Sequence, residues 1–373
     1  MRPFRYLTIG AVPLLAVAAV AAVAPGTAAA GIKSPGQPAS VTHSGSFSGV
    51  AATSAENAWV VGTSITGKTL ILHWNGTTWK TVPSPSPGPS GGYDALYGVA
   101  ATSASNAWAV GNASGKTMIL RWNGAAWKTV PSPSPGSYAS LNGVAATSAS
   151  NAWAVGNASG KALILHWNGT AWRQQASPSI SGAFQAVAAT SARNAWAVGF
   201  HSTSEGTATA GPPIILRWNG VTWKQVPTHL PAGIGNLVGV AATSASSAWA
   251  VGCSGCLAEG AGVPLIERWN GTAWAKVPGP GAAALAGLDG VTATSAKNAW
   301  AVGTPSGGPG HSTGIIHWNG RTWALVPSPN PGGQEHVTGV TATSASDAWA
   351  VGETEATTPF EGVISHWNGS SWK

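Results

Sequence analysis

A block of about thirty residues returns seven times between Gly49 and Trp372, each time with three tryptophans in the same order. In its third copy it reads GVAATSASNAWAVGNASGKALILHWNGTAW, from Gly143 to Trp172. The Trp of the AWAVG piece recurs as Trp59, Trp108, Trp153, Trp196, Trp249, Trp300 and Trp349. A second Trp stands before each Asn-Gly, and a third follows five residues on. Together they use all 21 tryptophans of the chain, so none is left over for a special site. The first-Trp intervals of 43 to 53 residues are the length expected for propeller blades of four strands.

Within one copy, GVAAT reads as a short apolar strand and SASN as a turn. AWAVG is a second strand, closed by a Gly and a loop of variable length. ILHW and TAWRQ flank Asn-Gly, a strong hairpin signal, because a type I′ turn needs φ > 0 at both central residues. A two-residue loop there places Leu165 opposite Trp172, with Trp167 on the same face and His166 on the other. Both faces of every sheet are apolar or aromatic, so each sheet must be covered on both sides. Stacking the sheets radially does this and shields most edges. The fold class expected is therefore all-β, a seven-bladed β-propeller with four antiparallel strands per blade; an open β-solenoid is the alternative.

The N-terminus differs from the repeats. Arg2 and Arg5 precede an apolar run from Leu7 to Val23, then Pro25-Gly26 and Ala28-Ala29-Ala30. This reads as a secretory signal peptide over 1–30, with an uncleaved membrane anchor as the alternative. Residues 31–46 read as a linker that could complete the last blade beyond Lys373, and 47–373 as one repeat domain. The protein expected is secreted, monomeric and free of membrane contact once the signal is removed.

Charge excludes one class of partner. The net charge is +7, and +5 without Arg2 and Arg5, but the basic residues are scattered with no run or patch for nucleic acid. GTSITGKT at 62–69 matches the phosphate-loop letters, yet LILHW after it is a strand where that motif needs a helix. Six N-x-[ST] sequons, Asn168-Gly-Thr among them, follow from turn chemistry and are assigned no modification. Cys253 and Cys256 are the only cysteines, and an exported chain suits a small disulfide pinching the fifth copy's loop. No metal ligand set and no cofactor motif is found. Catalysis has little support, since no acid recurs at a fixed repeat position and no two carboxylates stand at a spacing suited to glycosidic cleavage.

The W-x-V-G strand followed by an N-G-x-x-W hairpin resembles the BNR/Asp-box group of propellers, which includes sialidases and photosystem II assembly-factor-like proteins. HWNGTTW at 73–79 keeps the Gly-x-Thr-Trp end of S-x-D-x-G-x-T-W, without its Ser and Asp. The resemblance implies the fold. No sialidase arginine triad or Tyr/Glu nucleophile can be placed here, so it carries no activity across.

Function is expected on the side where the copies differ. The TSAxxAW turn and the Asn-Gly hairpin keep their length in all copies, whereas the spacing from first to second Trp runs from 14 to 22. In an up-and-down blade the variable second loop and the Pro/Ser/Gly linkers between copies emerge on one face. Tyr93, Tyr97 and Tyr138 are read as linker residues there, and Lys68, Lys116 and Lys161 share one loop position in the first three copies. Aromatic rings with a hydroxyl beside cations suit an acidic glycan or cell-wall polymer; a surface protein is a further partner class. The expected function is thus a binding module, and the alternative is an extracellular glycoside hydrolase or lyase with its site at the channel mouth. Each residue before Trp-Asn-Gly is His or Arg and is expected to stack on the adjacent blade's aromatics.

Overall fold

The computed structural model describes residues 43–202, 210–228, 235–255, 262–280, 284–306, 314–329, 335–354 and 361–373, and every regular element among them is a β-strand. The third copy shows the unit. Its strands Ala139–Ser148, Asn151–Ala158, Lys161–Trp167 and Trp172–Gln174 pair in sequence order, all antiparallel. A two-residue turn joins the first pair, because Ser148 faces Asn151. The second loop of the first copy is a hairpin turn, as read from Gly-Lys, and the strand Thr69–Trp74 follows it.

The Asn-Gly hairpin departs from the expected register. Trp167 faces Trp172 and Leu165 faces Gln174, so the loop holds four residues, 168–171. Asn168 Oδ1 accepts the backbone N–H groups of Thr170 and Ala171 at 3.0 Å each, which makes the Asn side chain the scaffold of the turn. Only Gly169 of the pair needs positive φ, at 97°. The longer loop puts the second and third tryptophans directly opposite each other on one face.

Every first strand carries a β-bulge near its middle, between Val155 and Gly156 of the partner strand in copy three. Opposite the bulge the backbones come so close that a Cβ at Gly156 would run into the Ser140 carbonyl. The terminal Gly of AWAVG is therefore a steric requirement in this sheet, and the same contact recurs at Gly62, Gly111, Gly199, Gly252, Gly303 and Gly352.

Five copies form separate four-stranded sheets, while the seventh and first are joined in one seven-stranded sheet. The join is His43 and Ser44, which pair with Gly362 and Glu361 of the seventh copy's third strand. Elsewhere the residues leading into a copy do the same to the copy before: Ser181 bridges to Lys161, and the Ala162 amide donates to the Ile180 carbonyl at 3.0 Å. The first copy's lead-in thus treats the seventh copy as its predecessor. His43 to Ser46 belong to the first strand, His43–Ser54, and not to a linker ending at 46. Residues 31–42 of that expected linker lie outside the described residues.

The core repeats this cyclic order. Among the described residues it consists of seven apolar clusters, each drawing on two consecutive copies, one of which joins Trp349, Val351 and Ile364 to Phe47, Trp74 and Trp79. At the centre of each cluster the first Trp of one copy, at most 1% exposed, meets the second and third Trp of the next. First and third rings lie edge to face, 5.0–5.2 Å apart at 80–89°. This is the arrangement the ring quadrupole favours.

The His or Arg before each second Trp stacks chiefly within its own copy, a correction to the expectation of stacking across copies. Cross-strand register places it opposite the first Trp, Trp153 facing His166 and Trp108 facing Arg121, and opposite residues share a face. The four His rings sit 4.0–4.2 Å from their own copy's Trp. The arginines, being longer, also reach across: Arg121 lies 4.9 Å from Trp108 and 5.5 Å from Trp167 of the next copy. These groups are pinned by the turn as well. His166 Nε2 bonds Asn151 Oδ1 at 2.8 Å, and Asn151 donates to Thr147 Oγ1 at 2.7 Å.

This packing has a pH signature. Burial holds the imidazoles of His73, His166 and His317 below the ordinary value of 6.5. As pH falls through 6.5 the unfolded chain therefore takes up protons first, so stability is whole above that value and declines below it. For Asp347, burial pushes the carboxyl up, but the bonds from His366 and Thr343 outweigh it and hold it below 3.8, so its own contribution is lost only in stronger acid. The expected result is a Tm that falls between pH 7 and pH 5. The fall should be shallower when His73, His166 and His317 are all replaced by Arg, the residue copies two, four and five already carry at that place. Equal slopes in melting curves of the two proteins would contradict this.

Candidate functional site

The variable loops and the linkers are interleaved on one side of the sheets. In the first copy the linker ends on the copy's own turn, the Asp94 amide donating to the Gly67 carbonyl at 2.9 Å. The next turn then closes over it, Ser114 N–H donating to the Tyr93 carbonyl at 2.9 Å. Copy two repeats the pattern with Ala139 to Gly115 and Ser159 to Tyr138, and copy three with Gly182 to Gly160 and Ser202 to Ser181. Each linker is thereby clamped between two turns, and across these copies the variable segments form a continuous ledge.

The lysines help to build it. Lys68 Nζ donates to the Gly92 carbonyl at 3.0 Å and lies 3.9 Å from Asp94, a fully buried carboxylate that also accepts the Gly88 amide at 3.0 Å. Lys116 Nζ donates to Gly136 O at 3.2 Å. Lys161 is exposed, its backbone bridged to Ser181. Tyr93 is 44% exposed, with its ring beside Gly67. Tyr138 takes the equivalent place beside Gly115 and is half-buried; burial raises its phenol, against a smaller opposing effect of a hydrogen bond with Ser140. The structure thus brings together Lys68 with Tyr93 and Lys116 with Tyr138, one pair per copy.

Tyr97 is different. It belongs to the first strand Asp94–Ser103 and not to a linker, because the linker has already joined the sheet at Asp94. Cys253 is buried in the second strand of copy five and carries no free thiol, its Sγ 3.1 Å from Asn236 Oδ1; Cys256 lies outside the described residues.

Tyr97 points to a set of residues that loop comparison does not find. The first strands of consecutive copies touch each other all the way round, the last meeting the first, so they surround a common axis. A Cβ on Gly49 would lie 3.1 Å from the Tyr97 carbonyl, and one on Gly339 only 3.5 Å from Gly49 Cα. Just before this position, which is Ala186 in copy four and glycine in the other six, each strand has its bulge, where the register passes over one residue: Ser48, Tyr97, Asn142, Gln185, Val238, Asp289 and Thr338. All seven are half-buried and all seven differ, although the Val two residues on is the same in every copy. Three of them are tied sideways to the next copy. Asn142 donates to the Phe184 carbonyl at 2.8 Å, Thr338 to the Phe47 carbonyl at 3.0 Å, and Asp289 Oδ2 lies 3.0 Å from His336 Nε2. The signal was present in the sequence as the one first-strand position at which no two copies agree.

No known family and no curated protein matches the sequence. Solved structures do match the fold. YCF48 bound to D1 peptide aligns over 87% of this chain and 95% of that one, at 13% identity and a TM-score of 0.53. YCF48 from Cyanidioschyzon merolae aligns over 87% and 96%, at 15% identity and 0.55. The GH74 xyloglucanase from Xanthomonas campestris aligns over 89% of this chain and 54% of that one, at 12% identity and 0.54, so this chain spans about half the enzyme's length. The chain has a propeller fold, in keeping with the resemblance read from its Trp-Asn-Gly hairpins.

Proposed function

We propose that this is a secreted, monomeric seven-bladed β-propeller that works as a binding module, holding an acidic glycan or cell-wall polymer on its variable-loop face. The observation that carries this reading is the ledge, on which an exposed tyrosine stands over the lysine turn in copy one and a half-buried one in copy two. Tyrosine offers a flat apolar ring with a polar tip, and the cations add long-range attraction that salt weakens. The blade count rests on seven cyclic Trp clusters, and secretion on the leader. Binding is favoured over hydrolysis because no acid recurs at a fixed position of the repeat. The structural neighbours include a propeller bound to a peptide and a glycan-cleaving one, so the fold is compatible with extended polymers.

The test is the triple change Lys68→Glu, Lys116→Glu and Lys161→Glu, measured for binding to heparin and hyaluronate across a salt series. Binding by the parent should weaken as salt rises, and the variant should lose about tenfold or more at low salt. Lys116→Glu with Lys161→Glu, which leaves the Lys68–Asp94 contact in place, should move the same way. No binding by the parent, or equal binding by the variants, removes the proposal.

A further inference from the structure

The bulge residues form a ring around the axis, and their chemistry differs from that of the ledge. The ring holds no lysine or arginine. Its one acid, Asp289, is 20% exposed and met by His336 of the next copy. The rest are two amides, two hydroxyls, a phenol and a valine. Bulges leave a residue outside the ladder and can re-aim its side chain. Here the bonds from Asn142 and Thr338 to neighbouring carbonyls hold two of the polar groups in place. The ring lies toward the ledge: Asp94, three residues before Tyr97, is already under the linker.

We propose that this ring is a second binding site, reached from the same face, for the uncharged end of a saccharide chain. The planar amide of Gln185 and the second carboxylate oxygen of Asp289, beyond the one that meets His336, can each hydrogen-bond the hydroxyls of a sugar. A ring with little free charge gives no advantage to a polyanion. The proposal rests on the reading of the face as a binding surface but not on its lysines. It gives the differences at this one strand position a role, that of choosing the sugar.

The experiment is calorimetric titration of the full chain with cellotetraose and chitotetraose, and with an uncharged tetrapeptide as the competing class. Two variants are compared with the parent. Gln185→Leu removes an amide that makes no side-chain hydrogen bond within the described residues, and Val238→Arg places bulk and charge in the ring. One tetrasaccharide should bind, and Gln185→Leu should weaken it about tenfold, the worth of one to two hydrogen bonds, at an unchanged Tm. Val238→Arg should block it, while the ledge lysine variants should leave it intact. If heparin binds but neither tetrasaccharide does, the ring proposal falls and the ledge stands. If nothing binds, both fall. Equal binding of parent and Gln185→Leu, or preference for the peptide, also overturns the ring proposal.

Discussion

Trp349→Ala is expected to destabilise the protein by about 3–5 kcal/mol, the range for removing a buried large aromatic. Trp349 is 1% exposed. It stacks on His366 at 4.0 Å and packs against Trp74 and Trp79 of the first copy, each at 5.2 Å. Its loss would open a hole in the cluster that joins the two ends of the repeat array. With roughly 2–4 °C per kcal/mol for a domain of this order, Tm should drop by about 10 °C. The informative comparison is Trp153→Ala, which makes the same hole between copies three and four. In a closed ring the two changes should cost the same. In an open array the Trp349 site would be an end, and its change would be cheap. A Trp349→Ala protein that melts like the parent beside a crippled Trp153→Ala protein would contradict closure.

The fold was legible in the sequence where one copy explains itself. The Trp period, the alternation of GVAAT and AWAVG, and the hairpin before the third Trp each follow from local chemistry repeated seven times. What needed the structure depends on how copies meet. The Asn-Gly letters indicate a turn, but the loop is four residues long because Asn168 Oδ1 captures two amides, and this moves Leu165 from Trp172 to Gln174. His43 and Ser44 look like linker text because their partners, Gly362 and Glu361, are more than 300 residues away. The close approach at Gly156 is set by a bulge in another strand, which no local pattern announces.

The site was legible in part for the same reason. Loop length identified the variable side, and hydrogen bonds from turn to linker join that side into a ledge. The sequence alone groups Tyr97 with the linker tyrosines, because the boundary between linker and strand carries no marker; Asp94, three residues earlier, is where the strand begins. From the sequence the lysines offer only charge at a shared loop position. In the structure Lys68 and Lys116 also hold linker carbonyls, so they shape the surface they charge.

The claim that the variable-loop face is the binding face is tested most directly by covering one face at a time. The sequence has two cysteines, and no free thiol occurs among the described residues, so one introduced cysteine gives a unique anchor for a bulky maleimide polymer. Ser90, exposed in the first linker, lies on the ledge; Ser105, exposed in the turn before the second strand of copy two, lies at the opposite end of the strands. Ser90→Cys carrying the polymer should lose binding to immobilised heparin altogether, and should recover it when left unlabelled. Ser105→Cys carrying the same polymer should bind like the parent. Loss of binding on labelling Ser105 but not Ser90 would place the ligand on the constant-turn face and contradict the assignment.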